Sequence, residues 1–139
     1  MSVAVLKSGD SLVATARNVS TLTHLSQLAG HEQLLTLKLD VTKQADVDDA
    51  FAQAIKHFGR IDVVVNNAGY GLMGELESLD EEQIRSQLDV NLWGVMRVSR
   101  AALKVFREVN EPKVGGRLLQ ISSIGGFRVY PCMGLYHAR

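Results

Sequence analysis

Four short apolar runs, separated by stretches of helical spacing, constrain this chain more than any single residue does. Leu12-Val13-Ala14-Thr15-Ala16 reads as a buried strand, and Leu34 to Leu39 as a second that stops at Asp40. Ile61-Asp62-Val63-Val64-Val65 is β-branched and apolar, which suits a central parallel strand covered on both faces; Asn66-Asn67-Ala68-Gly69 breaks it. Leu118, Leu119 and Ile121 follow the breaker Gly115-Gly116 and read as a fourth buried strand. Between the strands, Leu22, Leu25 and Leu28 predict a short helix over Val19 to Leu28. Thr42 is placed to cap a helix through Val47, Phe51, Ile55 and Phe58, ended by Gly59. Asp80 caps a long helix with Ile84, Leu88, Leu92, Val95 and Met96 on one side, reaching about Val109. Val3 to Lys7 reads as the tail of an amphipathic helix stopped at Gly9. Strand alternating with helix is the order of an α/β parallel sheet with right-handed crossovers.

The 139 residues show no repeat, low-complexity segment or dividing linker, and they read as one domain. With 46% hydrophobic and 22% charged residues the chain is of globular type. Its 15 basic and 15 acidic residues cancel, which predicts neither nucleic acid nor an anionic membrane as partner. No apolar run approaches the ~20 residues of a membrane span. One cysteine, Cys132, allows no internal disulfide and fits a reducing compartment, so a cytoplasmic location is expected. His24, His31, His57 and His137 show no metal-ligand spacing, and no metal is expected.

In an open parallel sheet, ligands bind beyond the carboxyl ends of the strands. Ser122 and Ser123 sit where the fourth strand ends, and Tyr136 follows Ser123 by thirteen positions. Serines there are equally at home as turn residues. A phenol, with a pKa of about 10, needs a nearby cation to act as acid or base at neutral pH.

Taken in order, Asp40-Val41, Asn66-Asn67-Ala68-Gly69, Asn91, Ile121-Ser122-Ser123 and Tyr136 resemble the motifs of the short-chain dehydrogenase/reductase family. The resemblance covers nearly the whole chain. It implies a Rossmann-like doubly wound parallel sheet and hydride transfer between NADP(H) and an alcohol or carbonyl substrate. Arg17, following Ala16 where an acid would contact a ribose hydroxyl, implies NADP in preference to NAD. Asp40 and Val41 would border the adenine, and Asn67, Ala68 and Gly69 would lie along the cofactor. Asn91 would hold a water in a proton relay. Ser123 would position the substrate oxygen, and Tyr136 would give or take its proton.

The resemblance also has departures. The first strand and its Gly-rich turn are expected to be missing, as is the C-terminal part, so residues 1–139 read as a partial NAD(P)-binding domain. The helpful lysine would fall at position 140; Arg139 could supply charge there but not shuttle a proton. A carboxylate beside Tyr136 would raise the phenol's pKa. Two alternatives to the enzyme stay open: an inactive fragment or incomplete gene product, and an interaction fragment pairing with a full-length relative. The family resemblance implies a possible homo-oligomer packed through the long helix and the one starting at Tyr136. The Tyr70 to Leu76 loop and Phe127 to Leu135 are expected to line part of the substrate pocket.

Overall fold

The computed structural model describes residues 1–138; Arg139, and the charge expected of it, lie outside the described residues. Two parallel ladders form the sheet layer. β1 (Leu12–Ala16) pairs with β2 (Leu34–Lys38) in the register Leu12↔Leu34 to Ala16↔Lys38. β3 (Val63–Asn66) pairs with β4 (Arg117–Gln120) in the register Val63↔Arg117 to Asn66↔Gln120. The helices are α1 (Ser2–Lys7), α2 (Gln44–Phe58), α3 (Glu81–Leu88), α4 (Val95–Glu108) and α5 (Gly134–His137). The expected α/β class with parallel strands is therefore present. The ladder is divided into two pairs: the edge of β1 away from β2 and that of β3 away from β4 carry no ladder among the described residues.

One face of the first pair is closed by Leu6 of α1 and by Leu25, packed with Ala14 and Leu34 into an apolar cluster. The short helix expected over Val19 to Leu28 is present as a 3₁₀ helix, Val19–Gln27. The three-residue spacing of Leu22, Leu25 and Leu28 matches its three residues per turn, and the Asn18 side chain caps it by accepting from Ser20 N at 3.1 Å. Leu37 points to the opposite face and is buried there, and α2 packs against β2.

The second pair is covered differently. Asn66 Nδ2 and Gln120 Nε2 both donate to Ser99 Oγ of α4 at 3.0 Å, so the face bearing Val64, Asn66, Leu118 and Gln120 lies on that helix. On the other face Val63 is 49%, Leu119 44% and Ile121 47% exposed. The expectation of a third strand covered on both faces, and of a buried fourth, is thus corrected. A β-branched run reports fitness for a pleated strand, whereas burial needs an element on each face. β3 also runs on through Asn66, because that residue stays in register with Gln120 and its carbonyl accepts from Ile121 N at 3.0 Å.

The helix ends follow local chemistry. Gly59 closes α2 in the left-handed region at φ 78. Asp80 and Gln83 form a reciprocal capping box on α3, with Gln83 N donating to Asp80 Oδ1 at 2.7 Å. Thr42 does not cap α2: the capping position is Lys43, and the Thr42 hydroxyl is drawn to Asp40 Oδ1 at 2.7 Å. α3 and α4 are joined by a π-helical turn, Asp89–Gly94, into one continuous helix. Its buried stripe is Gln87, Asn91, Gly94, Val98, Ala102 and Val105, while Leu92 and Met96, expected on its apolar side, are exposed. The lower part of the stripe belongs to the α2–α4 contact, where Val47, Ala50 and Ala54 are buried on α2.

Candidate active site

Arg17 follows β1 and Asp40 follows β2 at the carboxyl ends of adjacent strands, which Leu39 N holds together by donating to Ala16 O at 3.0 Å. Asp40 Oδ1 accepts from Thr42 N at 3.0 Å as well as from the Thr42 hydroxyl. That hydroxyl is the main reason the carboxyl is held below its ordinary range; burial opposes it, while the Thr42 N–H and the charges of Lys43 and Arg17 add to it. Arg17 is thus close enough to be felt by Asp40. Val41 meets the long helix at Gly94, where an added Cβ would stand 2.6 Å from Val41 Cγ2. Only glycine permits that approach. Arg97 Nη1 pairs with Asp89 Oδ1 at 2.7 Å and reaches the Val41 carbonyl at 3.5 Å.

After β3, Asn67, Ala68 and Gly69 run exposed into a loop that the long helix holds from beneath. Asn91 is 7% exposed and takes both backbone groups of Tyr70: Oδ1 accepts from Tyr70 N at 3.0 Å and Nδ2 donates to Tyr70 O at 2.7 Å. A Cβ at Gly69 would lie 3.1 Å from Asn91 Oδ1. One helical turn earlier, Gln87 is fully buried and its Oε1 accepts from Leu72 N at 2.9 Å. Asn91 stands in the π-helical turn, a deviation that recurs at functional sites.

Ser123 lies beyond the end of β4, which stops at Gln120, and caps a 3₁₀ turn, Ile124–Gly126, its Oγ accepting from Gly125 N at 3.1 Å. The acceptor role leaves the hydroxyl proton for a second partner. Tyr136, in α5, packs its ring between that turn and the loop after β3. A Cβ at Gly125 would be 2.9 Å from Tyr136 Cε1, and one at Gly71 would be 3.4 Å from its Cδ2. Gly74 N donates to Cys132 O at 2.8 Å and ties this loop to the segment before α5. Beside them opens a cleft of about 390 Å³ walled by Leu76, Leu79, Tyr130, Cys132 and Leu135. The lining begins later in the loop than expected, at Gly74, and includes Glu75, Glu77 and Leu79.

The expected site residues therefore gather at the carboxyl ends of the strands in three groups: Arg17, Asp40 and Val41; Asn67, Ala68, Gly69 and Asn91; Ser123 and Tyr136. The family model described as short chain dehydrogenase matches residues 1–139. The chain belongs to the short-chain dehydrogenase family. An uncharacterised oxidoreductase of Schizosaccharomyces pombe is 44% identical to this chain over 133 residues, 96% of this chain and 43% of the relative. Among solved structures, a short-chain dehydrogenase from Streptomyces avermitilis is similar at TM-score 0.87 and 30% identity, over 99% of this chain and 50% of that one. An alcohol dehydrogenase from Thermococcus sibiricus complexed with 5-hydroxy-NADP is similar at TM-score 0.86 and 31% identity, over 99% of this chain and 58% of that one. A 3-ketoacyl-(acyl-carrier-protein) reductase from Brucella melitensis complexed with NADH is similar at TM-score 0.88 and 28% identity, over 99% of this chain and 57% of that one. The chain spans about half the length of the curated relatives it matches.

Three residues at or beside the site are not singled out by the sequence. Gln87 had a signal, an amide one helical turn from Asn91 on the same face. Arg97 had a weaker one, since its partner Asp89 lies two turns away. His137, whose ring centroid is 6.0 Å from that of Tyr130 and 6.1 Å from that of Tyr136, had none. No metal-holding cluster of His, Cys, Asp or Glu occurs among the described residues. No helix there is long and apolar enough to cross a membrane.

Proposed function

We propose that these residues form the cofactor side and reacting centre of an NADP(H)-dependent oxidoreductase acting on an alcohol/carbonyl pair. The observation that supports it most is the packing of Tyr136 against Gly125, the residue whose N–H is held by Ser123. This brings a hydroxyl donor and a phenol to the same end of the sheet as the Asn67–Gly69 loop. Arg17, exposed just past the carboxyl end of β1, offers a positive charge of the kind a 2′-phosphate requires. The exposed backbone of residues 67–69 suits close approach by a flat cofactor, so the residues fit the group. A bound nicotinamide supplies or accepts the hydride. Ser123 holds the substrate oxygen through its hydroxyl proton, and Tyr136 gives that oxygen a proton in reduction or removes one in oxidation. Asn91 fixes the loop, and its remaining lone pair and N–H serve a water in the proton path. The substrate enters along the cleft between Leu76 and Leu135. We place the protein in the cytoplasm and infer a homo-oligomer in which the exposed Leu92, Trp93 and Met96 are covered.

The test is steady-state kinetics and cofactor titration on the whole protein that carries this sequence. Arg17→Ala should weaken NADPH binding by ~1–3 kcal/mol and leave NADH nearly unchanged; equal losses would remove the NADP assignment. Tyr136→Phe should abolish turnover while NADPH still binds, and Ser123→Ala should harm it more than Ser122→Ala. A second reading concerns residues 1–139 by themselves. The open face of β3–β4 and the bare edges of β1 and β3 favour a segment that is aggregation-prone and inactive in isolation. Steady NADPH-dependent turnover by this segment alone would defeat that reading.

A further inference from the structure

We infer that Gln87 is a positioning residue for Tyr136, acting through the loop between them; the kinetic part of the inference rests on the oxidoreductase reading above. The path is short. Gln87 Oε1 accepts from Leu72 N at 2.9 Å. Leu72 follows Gly71, and a Cβ at Gly71 would stand 3.4 Å from Tyr136 Cδ2 and 3.3 Å from Met133 Cε. Gly71 is therefore the wall that faces the phenol ring, set back from it by about the width of a Cβ. Asn91 fixes Tyr70 on one side of that wall, and Gln87 fixes Leu72 on the other. With both amides in place Gly71 is spanned at each end. With Gln87 removed, Gly74 N on Cys132 O is the hydrogen bond to the α5 side that remains, among the described residues, at the end adjoining the cleft.

The orientation of the Gln87 amide follows from the bond itself, because an N–H can be met only by its carbonyl oxygen. The other half of the amide, Nε2, is buried and reaches no acceptor among the described residues. The loop thus uses one atom of Gln87, its oxygen. This separates Gln87 from an ordinary packing residue: an isostere that keeps the oxygen should keep the function, and one that keeps only the volume should lose it. Displacing a reacting group by a fraction of an ångström lowers the catalytic step far more than it changes binding of a cofactor held elsewhere.

The experiment compares Gln87→Met, which keeps length and loses the acceptor, with Gln87→Glu, which accepts from an N–H whether ionised or neutral. Both are made in the whole protein. Hydrogen exchange of the peptide covering 69–74 should accelerate in the Met variant and stay near wild type in the Glu variant. In the same pair kcat should fall by about tenfold or more for Met and remain within about threefold for Glu, with the KM for NADPH changed less than about twofold in both. A third variant, Gly71→Val, sets methyl groups beyond a Cβ that would already stand 3.4 Å from the ring, leaves Gln87 untouched, and should lower kcat while exchange of 69–74 stays slow. It carries the test if Gln87→Met does not fold. Unchanged exchange in the Met variant, or equal kcat losses in Met and Glu, would overturn the role of the oxygen. An unaltered kcat in Gly71→Val would break the link to Tyr136. If the wild-type protein shows no turnover, the proposed function fails, and the exchange arm alone still decides whether Gln87 holds the loop.

Discussion

β1–β2 and β3–β4 are both short parallel ladders with apolar centres, yet their surroundings differ. The first has Leu6 and Leu25 on one face and Leu37 buried on the other. The second lies on α4 through Ser99 and leaves Val63, Leu119 and Ile121 half exposed opposite. The chemistry is distributed the other way. The well-covered pair ends in Arg17 and Asp40, while the half-covered pair ends in the Asn67–Gly69 loop and Ser123. A strand's composition therefore says little about its cover, which depends on what else the chain brings to each face.

The largest effect that tests this contrast is a pair of truncations. Leu25→Ala empties a fully enclosed position and should destabilise by ~2–5 kcal/mol in urea unfolding of the whole protein. Leu119→Ala, on the open face, should cost roughly 0.5 kcal/mol or less. A comparable loss at Leu119 would show that a segment outside residues 1–138 covers that face, and would confine the asymmetry to these residues.

A smaller effect comes from the seam where the two halves meet through α4. Gly94→Ala sets a methyl against Val41 and should destabilise by ~1–3 kcal/mol, the usual range for overpacking. Trimming the opposing side chain in Gly94→Ala/Val41→Ala should recover part of it, giving a coupling energy above ~0.5 kcal/mol in a double-mutant cycle. Strict additivity would mean that the seam relaxes and the halves are independent.

The smallest effect is electrostatic and belongs to the first half alone. Asp40 has a carboxyl pKa lowered on folding, so its contribution is present above the unfolded value of ~3.9 and disappears as pH falls through the folded value. Thr42→Val removes the leading cause, and the Asp40 resonance should then titrate at a higher pH in a carboxyl NMR titration. The change in acid stability should stay below ~1 kcal/mol, because solvent screens the pair. An unmoved titration would assign the shift to the Thr42 N–H and the charges of Lys43 and Arg17 instead.

Much of this fold was legible in the sequence. The α/β order, the Asp80 cap and the Gly59 stop each depend on a few neighbouring residues, and local chemistry settled them. The short-chain dehydrogenase motifs were legible because their order and spacing survive without coordinates. The burial of β3–β4 was misread because cover is a tertiary property. Thr42 was misread because two local partners, a helix end and a carboxylate, competed for one hydroxyl. The buried side of the long helix was misread for a related reason. Counting apolar residues picks out Leu92 and Met96, whereas the side against the loop is lined by amides that satisfy its backbone. Asn91 stood out as a poor mid-helix residue; Gln87, a good helix former, gave no such warning.

The buried stripe from Gln87 to Val105 makes the length of the long helix as consequential as its composition. Its upper residues address a loop and its lower ones address α2, and one backbone carries both. An α-helix turns by about 100° per residue. Adding or removing a single residue between Asn91 and Val98 would therefore rotate the amides away from Tyr70 and Leu72, or the aliphatic side chains away from α2, with no side chain altered. Insertions and deletions in that interval should be far less tolerated than point substitutions on the helix's outer surface.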